Sequence, residues 1–210
     1  MTWFAHHLFC TPNKELLKII SKDSALFNQA YLIDDITDFS WPDSQKKHEL
    51  PEDGLLVLRF GKEVNQNTNW DHNRSYRVEI SPAEVQKDYP DFNLSNYPQI
   101  SFLNWIKGLN QATESPLAYY YCEMWAGDVE LEYAWVFSKI ERVFTFTSFH
   151  QGIHKLNEYT KGTSPINKHG DVLVETMTHF GIKLPTSYFA LHTRSFPWSN
   201  YKLETSTFLK

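Results

Sequence analysis

Hydrophobic residues along this chain alternate in some segments and follow helical spacing in others. The apolar run LLVLRF at 55–60 is typical of a central strand that is covered on both faces. The alternating segment YRVEI at 76–80 predicts another strand, and the polar segment at 64–75 predicts a broad loop between the two. The segment at 25–33 fits neither period, so it predicts no single element.

The strongest local pattern is a stretch of aromatic and β-branched residues at 117–137, which is divided by Ala126 and Gly127. This stretch predicts a β-hairpin, and RVFTFT at 142–147 predicts the strand that follows it. One face of the second hairpin strand is apolar and is expected in the core, with Val129, Leu131, Tyr133 and Trp135. The fold is therefore expected to be centred on this hairpin.

Apolar spacing and capping residues predict helices at 12–22, 81–89, 99–112, 150–160 and 170–181. Thr11 is placed as the N-cap of the first helix and Pro12 as its first residue, whereas Gly181 is placed to end the last helix. The order of strands and helices does not repeat as regular β-α-β units. It predicts a single α+β domain over 1–210, with a predominantly antiparallel sheet and flanking helices.

Composition and charge narrow the classes of function. Aromatic residues make up 16% of the chain, which predicts an aromatic core and excludes ordinary disorder. A net charge of −5 argues against a strongly electrostatic nucleic-acid binder, which needs a basic face, and leaves a local basic patch open. The sequence shows neither a secretory signal nor an apolar stretch long enough for a bilayer, so we expect a cytoplasmic protein without a membrane partner. In that compartment Cys10 and Cys122 are expected to be buried thiols.

Acidic residues give the hairpin an unusual charge pattern. If the turn has two residues, Glu123 lies opposite Glu130, and Asp128 and Glu132 share a face with Glu130. A three-residue loop with a glycine bulge would instead separate Glu123 from Glu130. Three interpretations are open: a surface for a basic partner, a carboxylate site for catalysis or a metal, and the solvated outer face of the sheet.

Two histidines and a glutamate, His150, His154 and Glu158, recur every four residues. On a helix the histidines could share a metal, so the alternative function is a metal-dependent hydrolase that uses them with a carboxylate. The zinc-protease pattern is not matched, because Gln151 follows the first histidine and Gly152 weakens the helix. A polar stripe that borders the apolar face of the helix would account for the same residues without a metal. The phosphate-binding and dinucleotide-binding loop motifs are also missing from the sequence, and no cofactor is expected.

The polar loop at 64–75 carries side chains suited to a polar ligand or a partner. Trp70 offers a ring for stacking, and Asp71 offers a charged hydrogen-bond acceptor. A variable surface loop would have a similar composition, so both interpretations stay open.

The segment PLAYYYCEMWAGDVELEYAWVF at 116–137 resembles small bacterial proteins of unknown function and the immunity proteins encoded beside secreted polymorphic toxins. The shared elements are a proline-initiated aromatic strand, a glycine turn and an acidic return strand. The resemblance implies a cytosolic, non-enzymatic protein that binds and blocks a cognate toxin, and it transfers no catalytic residue. The acidic strand would suit a basic toxin surface. The expected partner-binding residues are Glu123, Asp128, Glu130, Glu132, Trp70 and Asp71.

Overall fold

Seven strands form the framework of the part of the chain that the structure describes. The computed structural model describes residues 2–35, 50–59, 100–125, 128–138, 142–147, 163–165, 171–184 and 196–204. The strands are β1 (Thr2–Cys10), β2 (Ala30–Ile33), β3 (Leu55–Arg59), β4 (Leu117–Trp125), β5 (Asp128–Phe137), β6 (Arg142–Thr147) and β7 (Thr163–Pro165). The helices are α1 (Lys14–Lys22), α2 (Ser24–Phe27), α3 (Ile100–Thr113) and α4 (Asp171–Thr178), with a 3₁₀ turn at Trp198–Tyr201.

The strands pair in a single sheet, in the order β2-β3-β1-β4-β5-β6-β7. Strands β6 and β7 are parallel, and the other neighbouring pairs are antiparallel. The predicted α+β class, with a predominantly antiparallel sheet and flanking helices, is confirmed. The domain extent of 1–210 reaches beyond the described residues and stays a prediction.

Strand β1 lies inside the sheet, between β3 and β4, although the hydrophobic spacing predicts no strand there. It pairs with β4 along its whole length, from Thr2 opposite Trp125 to Cys10 opposite Leu117. Leu8 and Phe9 are adjacent in sequence and point to opposite faces, yet both are fully buried. At these two positions β1 is therefore covered on both sides.

The sheet has a hydrophobic core on each face. The first core lies under α1 and α3, which contribute Leu16, Ile20, Ile106 and Leu109. The second core lies under α4, which contributes Val172, Leu173 and Met177. Alternate residues of β5 enter different cores, so Tyr133 and Trp135 pack in the first, whereas Ala134 and Val136 pack in the second. The predicted burial of Tyr133 and Trp135 is confirmed, but the opposite face of β5 is not solvated at these positions.

The most strongly patterned segments form the predicted elements. Strand β3, helix α3, the β4–β5 hairpin and strand β6 occupy the segments predicted for them. The ambiguous segment at 25–33 contains part of α2 and all of β2. Helix α4 ends at Thr178, and Gly181 follows it with a φ of 72°. The predicted elements at 64–75, 76–80, 81–89 and 150–160 lie outside the described residues.

Helix α3, the longest helix among the described residues, has 14 residues. Among the residues that the structure describes, no helix is both long and apolar enough to cross a membrane.

The cysteines are buried, with Cys10 at 0% and Cys122 at 2% exposure, so the prediction of buried thiols is confirmed. Burial raises the pKa of Cys10 far above its usual range, and its thiol therefore stays protonated.

The C-terminal segment, residues 196–204, wraps around the β2 edge of the sheet. Phe196 is buried in the second core, and Leu203 is buried in the first. Lys202 forms an antiparallel β-bridge with Tyr31, and the Leu203 N–H donates a 3.0 Å hydrogen bond to the carbonyl of Ala30, the first residue of β2. The C-terminal segment thus connects the two cores across the edge strand.

Helix α1 begins at Lys14, because Asn13 rather than the predicted Thr11 is its N-cap. The Asn13 side-chain oxygen accepts a 2.8 Å hydrogen bond from the Leu16 N–H. The amide group of Asn13 donates to the Thr113 carbonyl at 2.8 Å and to the Ser115 hydroxyl. One side chain therefore caps α1 and ties it to the end of α3.

Replacing Asn13 with alanine is expected to lower the free energy of unfolding by about 1–2 kcal/mol, because the cap and the tie to α3 are both lost. Replacement by serine keeps a capping oxygen and removes the amide donor without placing a second acceptor against the Thr113 carbonyl, so its cost should be smaller. Urea denaturation followed by circular dichroism measures both variants. Equal losses for alanine and serine would show that the cap contributes nothing.

Candidate functional site

The pairing of β4 with β5 changes register near the end of the hairpin. Trp125 lies opposite Asp128, but Glu123 lies opposite Leu131 rather than Glu130. The shift between Glu123 and Met124 is a bulge that places one extra residue on β5. Glu123 and Glu130 are therefore not directly opposite each other, as they would be in a hairpin with a two-residue turn and no bulge.

The bulge also determines which residues of the two strands share a face. With the observed register, Tyr133 lies opposite Tyr121, and Trp135 lies opposite Tyr119, so these rings meet in the first core. A shift by one residue would bring Tyr133 opposite Tyr120, whose side chain is in the second core. The observed register thus places these aromatic side chains of the two strands on the same face of the sheet.

Glu132 is on the face of β5 that is buried in the second core. It is 1% exposed and lies opposite Cys122. Its Oε1 atom accepts a 2.7 Å hydrogen bond from the Tyr120 hydroxyl and a 3.1 Å hydrogen bond from the Leu173 N–H. Because Leu173 is in the first turn of α4, this carboxylate satisfies a donor that the helix cannot satisfy itself. The prediction that Glu132 belongs to an exposed acidic strip is therefore wrong.

Tyr120 and Cys122 complete this buried cluster. The pKa of Tyr120 is well above its usual value, chiefly because of burial and further because of Cys122 and Glu132. Tyr120 therefore stays protonated and remains the donor to Glu132. Since Tyr120 and Cys122 are exposed by only 1% and 2%, the cluster does not meet a dissolved substrate and serves to hold α4 on the sheet.

Three acidic residues remain at the far end of the hairpin, which we call the hairpin tip and define as 123–125 and 128–130. Glu123 is on β4, where β1 pairs on the other side, and Asp128 and Glu130 are on β5. The described ladder between β5 and β6 ends where Leu131 pairs with Thr147. The 128–130 part of the tip therefore extends beyond the described end of β6.

The other predicted site residues lie outside the described residues. These are Trp70 and Asp71 of the polar loop, and His150, His154 and Glu158 of the metal pattern. Among the residues that are described, no group of three His, Cys, Asp or Glu side chains could hold a metal ion. Trp70 and Asp71 as partner contacts, and the histidines as ligands, stay predictions.

Arg59 forms a cluster with aromatic side chains that the sequence pattern did not reveal. Its guanidinium carbon lies 4.2 Å from the centre of the Trp198 ring and 5.7 Å from that of Tyr31. His7 lies opposite Arg59 in the sheet, and its ring is 5.4 Å from Trp198. The one local signal was an arginine at the end of the apolar run LLVLRF. This cluster fastens the C-terminal segment to β1, β2 and β3.

Comparisons with family models, with curated proteins and with solved structures find no match for this chain.

Proposed function

We propose that this chain is a non-enzymatic immunity protein that binds and neutralises a basic bacterial toxin, and that the hairpin tip is its principal recognition surface. The observation that carries the proposal is the position of Glu123, Asp128 and Glu130 at the end of a long hairpin. The 128–130 part of that tip lies beyond the described end of β6.

The base of the hairpin is held on both faces. Tyr119 and Tyr121 are buried in the first core, whereas Ala118 and Tyr120 are buried in the second. A tip on such a base is positioned before binding, so association with a partner would cost little conformational entropy there. Three carboxylates close together in the chain would also attract a basic partner and raise its association rate.

Because Glu132 is buried, the proposed recognition surface is smaller than the sequence predicts, and its acidic residues can be named. The acidic contribution from the hairpin now consists of Glu123, Asp128 and Glu130, because Glu132 is used to hold α4. Trp70 and Asp71 remain part of the proposal as partner contacts on the polar loop. The proposed contact is thus an acidic tip with an aromatic contribution from a separate loop.

Charge reversal at the hairpin tip tests the proposal. The variant Glu123→Lys, Asp128→Lys, Glu130→Lys is expected to slow association with the product of a neighbouring toxin gene by at least about tenfold, because rim charges mainly set the association rate. Surface plasmon resonance at low salt measures the rate, and a pull-down of the same gene product measures retention.

The matched control reverses three exposed acidic residues elsewhere, Glu15, Glu52 and Glu175. It changes the net charge by the same amount, so a loss confined to the tip variant would show that position matters and not only total charge. Unchanged association of the tip variant would refute the hairpin tip as the surface. If the unmodified chain bound no product of a neighbouring gene, the immunity function itself would be wrong.

A further inference from the structure

Helix α1 carries a row of exposed lysines on its outer surface, formed by Lys14, Lys18 and Lys22 and called here the lysine stripe. The three residues are four positions apart, so on a helix each follows the previous one by about 6 Å with a small rotation. The opposite side of the helix is buried, since Leu16 and Ile20 are 0% exposed. The stripe therefore faces away from the sheet.

The charge of the stripe is only weakly compensated on α1 itself. Lys18 Nζ lies 3.9 Å from a carboxylate oxygen of Glu15, and both side chains are more than 60% exposed. Ion pairs this exposed to solvent stabilise a protein little and exchange readily for other partners. Because the whole chain has a net charge of −5, the stripe is a local positive region on an acidic protein.

The chemistry of the stripe favours a protein partner over a membrane or a nucleic acid. A helix that binds the membrane surface inserts its apolar side, but that side of α1 is packed in the first core. A nucleic-acid surface combines basic with aromatic or arginine side chains that stack on bases, whereas α1 has lysine alone and no aromatic residue. The net negative charge of the chain also opposes binding to a phosphate backbone.

We infer that the lysine stripe docks a helical protein segment with a carboxylate at every fourth residue. Such a segment repeats its charges at the same interval of about 6 Å, so all three lysines can pair with it at once. The stripe is opposite in charge to the hairpin tip and lies on a separate element. Binding at the lysine stripe and binding at the hairpin tip can therefore be tested independently.

A peptide-binding experiment tests this inference on the full chain. The probe is a labelled helical peptide of about 20 residues with three glutamates four positions apart, long enough to hold a helix. We expect fluorescence anisotropy to show binding that weakens between about 50 and 300 mM salt. Replacing Lys14, Lys18 and Lys22 with glutamate should weaken binding at least tenfold.

Two controls separate the stripe from general charge effects. The first reverses Lys107 and Lys183, which are also exposed, and is compared with reversal of Lys14 and Lys18, so that both double variants change the net charge equally. The second is a peptide of the same composition with its glutamates dispersed around the helix. Equal loss in both double variants, or equal affinity for both peptides, would overturn the inference. Tighter binding to single-stranded DNA or to phosphatidylserine vesicles than to the peptide would overturn it as well.

Discussion

Replacing Glu132 with alanine is expected to lower the free energy of unfolding by about 3–5 kcal/mol, because two buried donors lose their acceptor and each such loss costs about 1–3 kcal/mol. The donors are the Tyr120 hydroxyl and the Leu173 N–H. Urea denaturation followed by tryptophan fluorescence and circular dichroism measures the loss.

Milder variants distinguish the contributions to this cluster. Glu132→Gln keeps an oxygen acceptor for the two donors, so it should cost less than alanine. Tyr120→Phe removes one donor and leaves the carboxylate bonded to Leu173, so it is expected to cost about 1 kcal/mol. Full stability of Glu132→Ala would contradict the buried position. A slower association of Glu132→Gln with the proposed toxin partner, at unchanged stability, would return Glu132 to the proposed recognition surface.

The second large effect is expected at Gly54, which precedes β3. Its φ is +76°, and a Cβ atom there would lie 2.6 Å from the backbone oxygen of Ile33. Alanine would therefore introduce both an unfavourable backbone conformation and a contact with backbone that must move. We expect Gly54→Ala to cost about 2–4 kcal/mol, of which the left-handed conformation accounts for about 1–2 kcal/mol.

Two other glycines provide matched controls for Gly54. Gly181 has a similar φ of +72° but open space around the added carbon, so alanine there measures the backbone term alone. Gly108 lies within α3 with open space, and alanine there should stabilise the protein by about 0.5–1 kcal/mol. Thermal and urea denaturation of the three variants should rank them in this order. If Gly54→Ala cost no more than Gly181→Ala, the contact with Ile33 would not matter.

Local sequence patterns predict those elements for which the residue composition and the hydrophobic period indicate the same secondary structure. The hairpin and β6 combine aromatic and β-branched residues with a clear turn, and β3 is a short run that is apolar throughout. Strand β1 was missed because it is buried on both faces and also contains His6 and His7. Its sequence therefore shows neither a clean alternation nor a continuous apolar run. The segment at 25–33 was ambiguous because it spans a helix end, a turn and a short strand.

The position of Glu132 could not be predicted, because its partners are set by the tertiary fold. Alternation along β5 predicts that it shares a face with Asp128 and Glu130, but the observed bulge interrupts that alternation, and the burial of Glu132 depends on α4. The donor from that helix, the Leu173 N–H, follows 41 residues later in the chain. The alternative register predicted for the hairpin requires a three-residue loop with a glycine bulge, whereas the observed bulge lies between Glu123 and Met124, and a sequence pattern alone does not choose between such registers. The exposed residues of a candidate acidic surface can thus be assigned only when the positions of helices distant in the sequence are known.

The C-terminal segment also affects how this protein behaves among other copies of itself. An exposed edge strand offers unpaired backbone groups to a neighbouring molecule and so promotes aggregation. At the β2 edge the Ala30 carbonyl accepts from the Leu203 N–H and Tyr31 forms a β-bridge with Lys202, so part of that edge is occupied. At the other end of the sheet β7 finishes with Pro165, which has no N–H to donate. Colloidal stability at high concentration therefore depends in part on the segment 196–204, far from the acidic hairpin in the sequence.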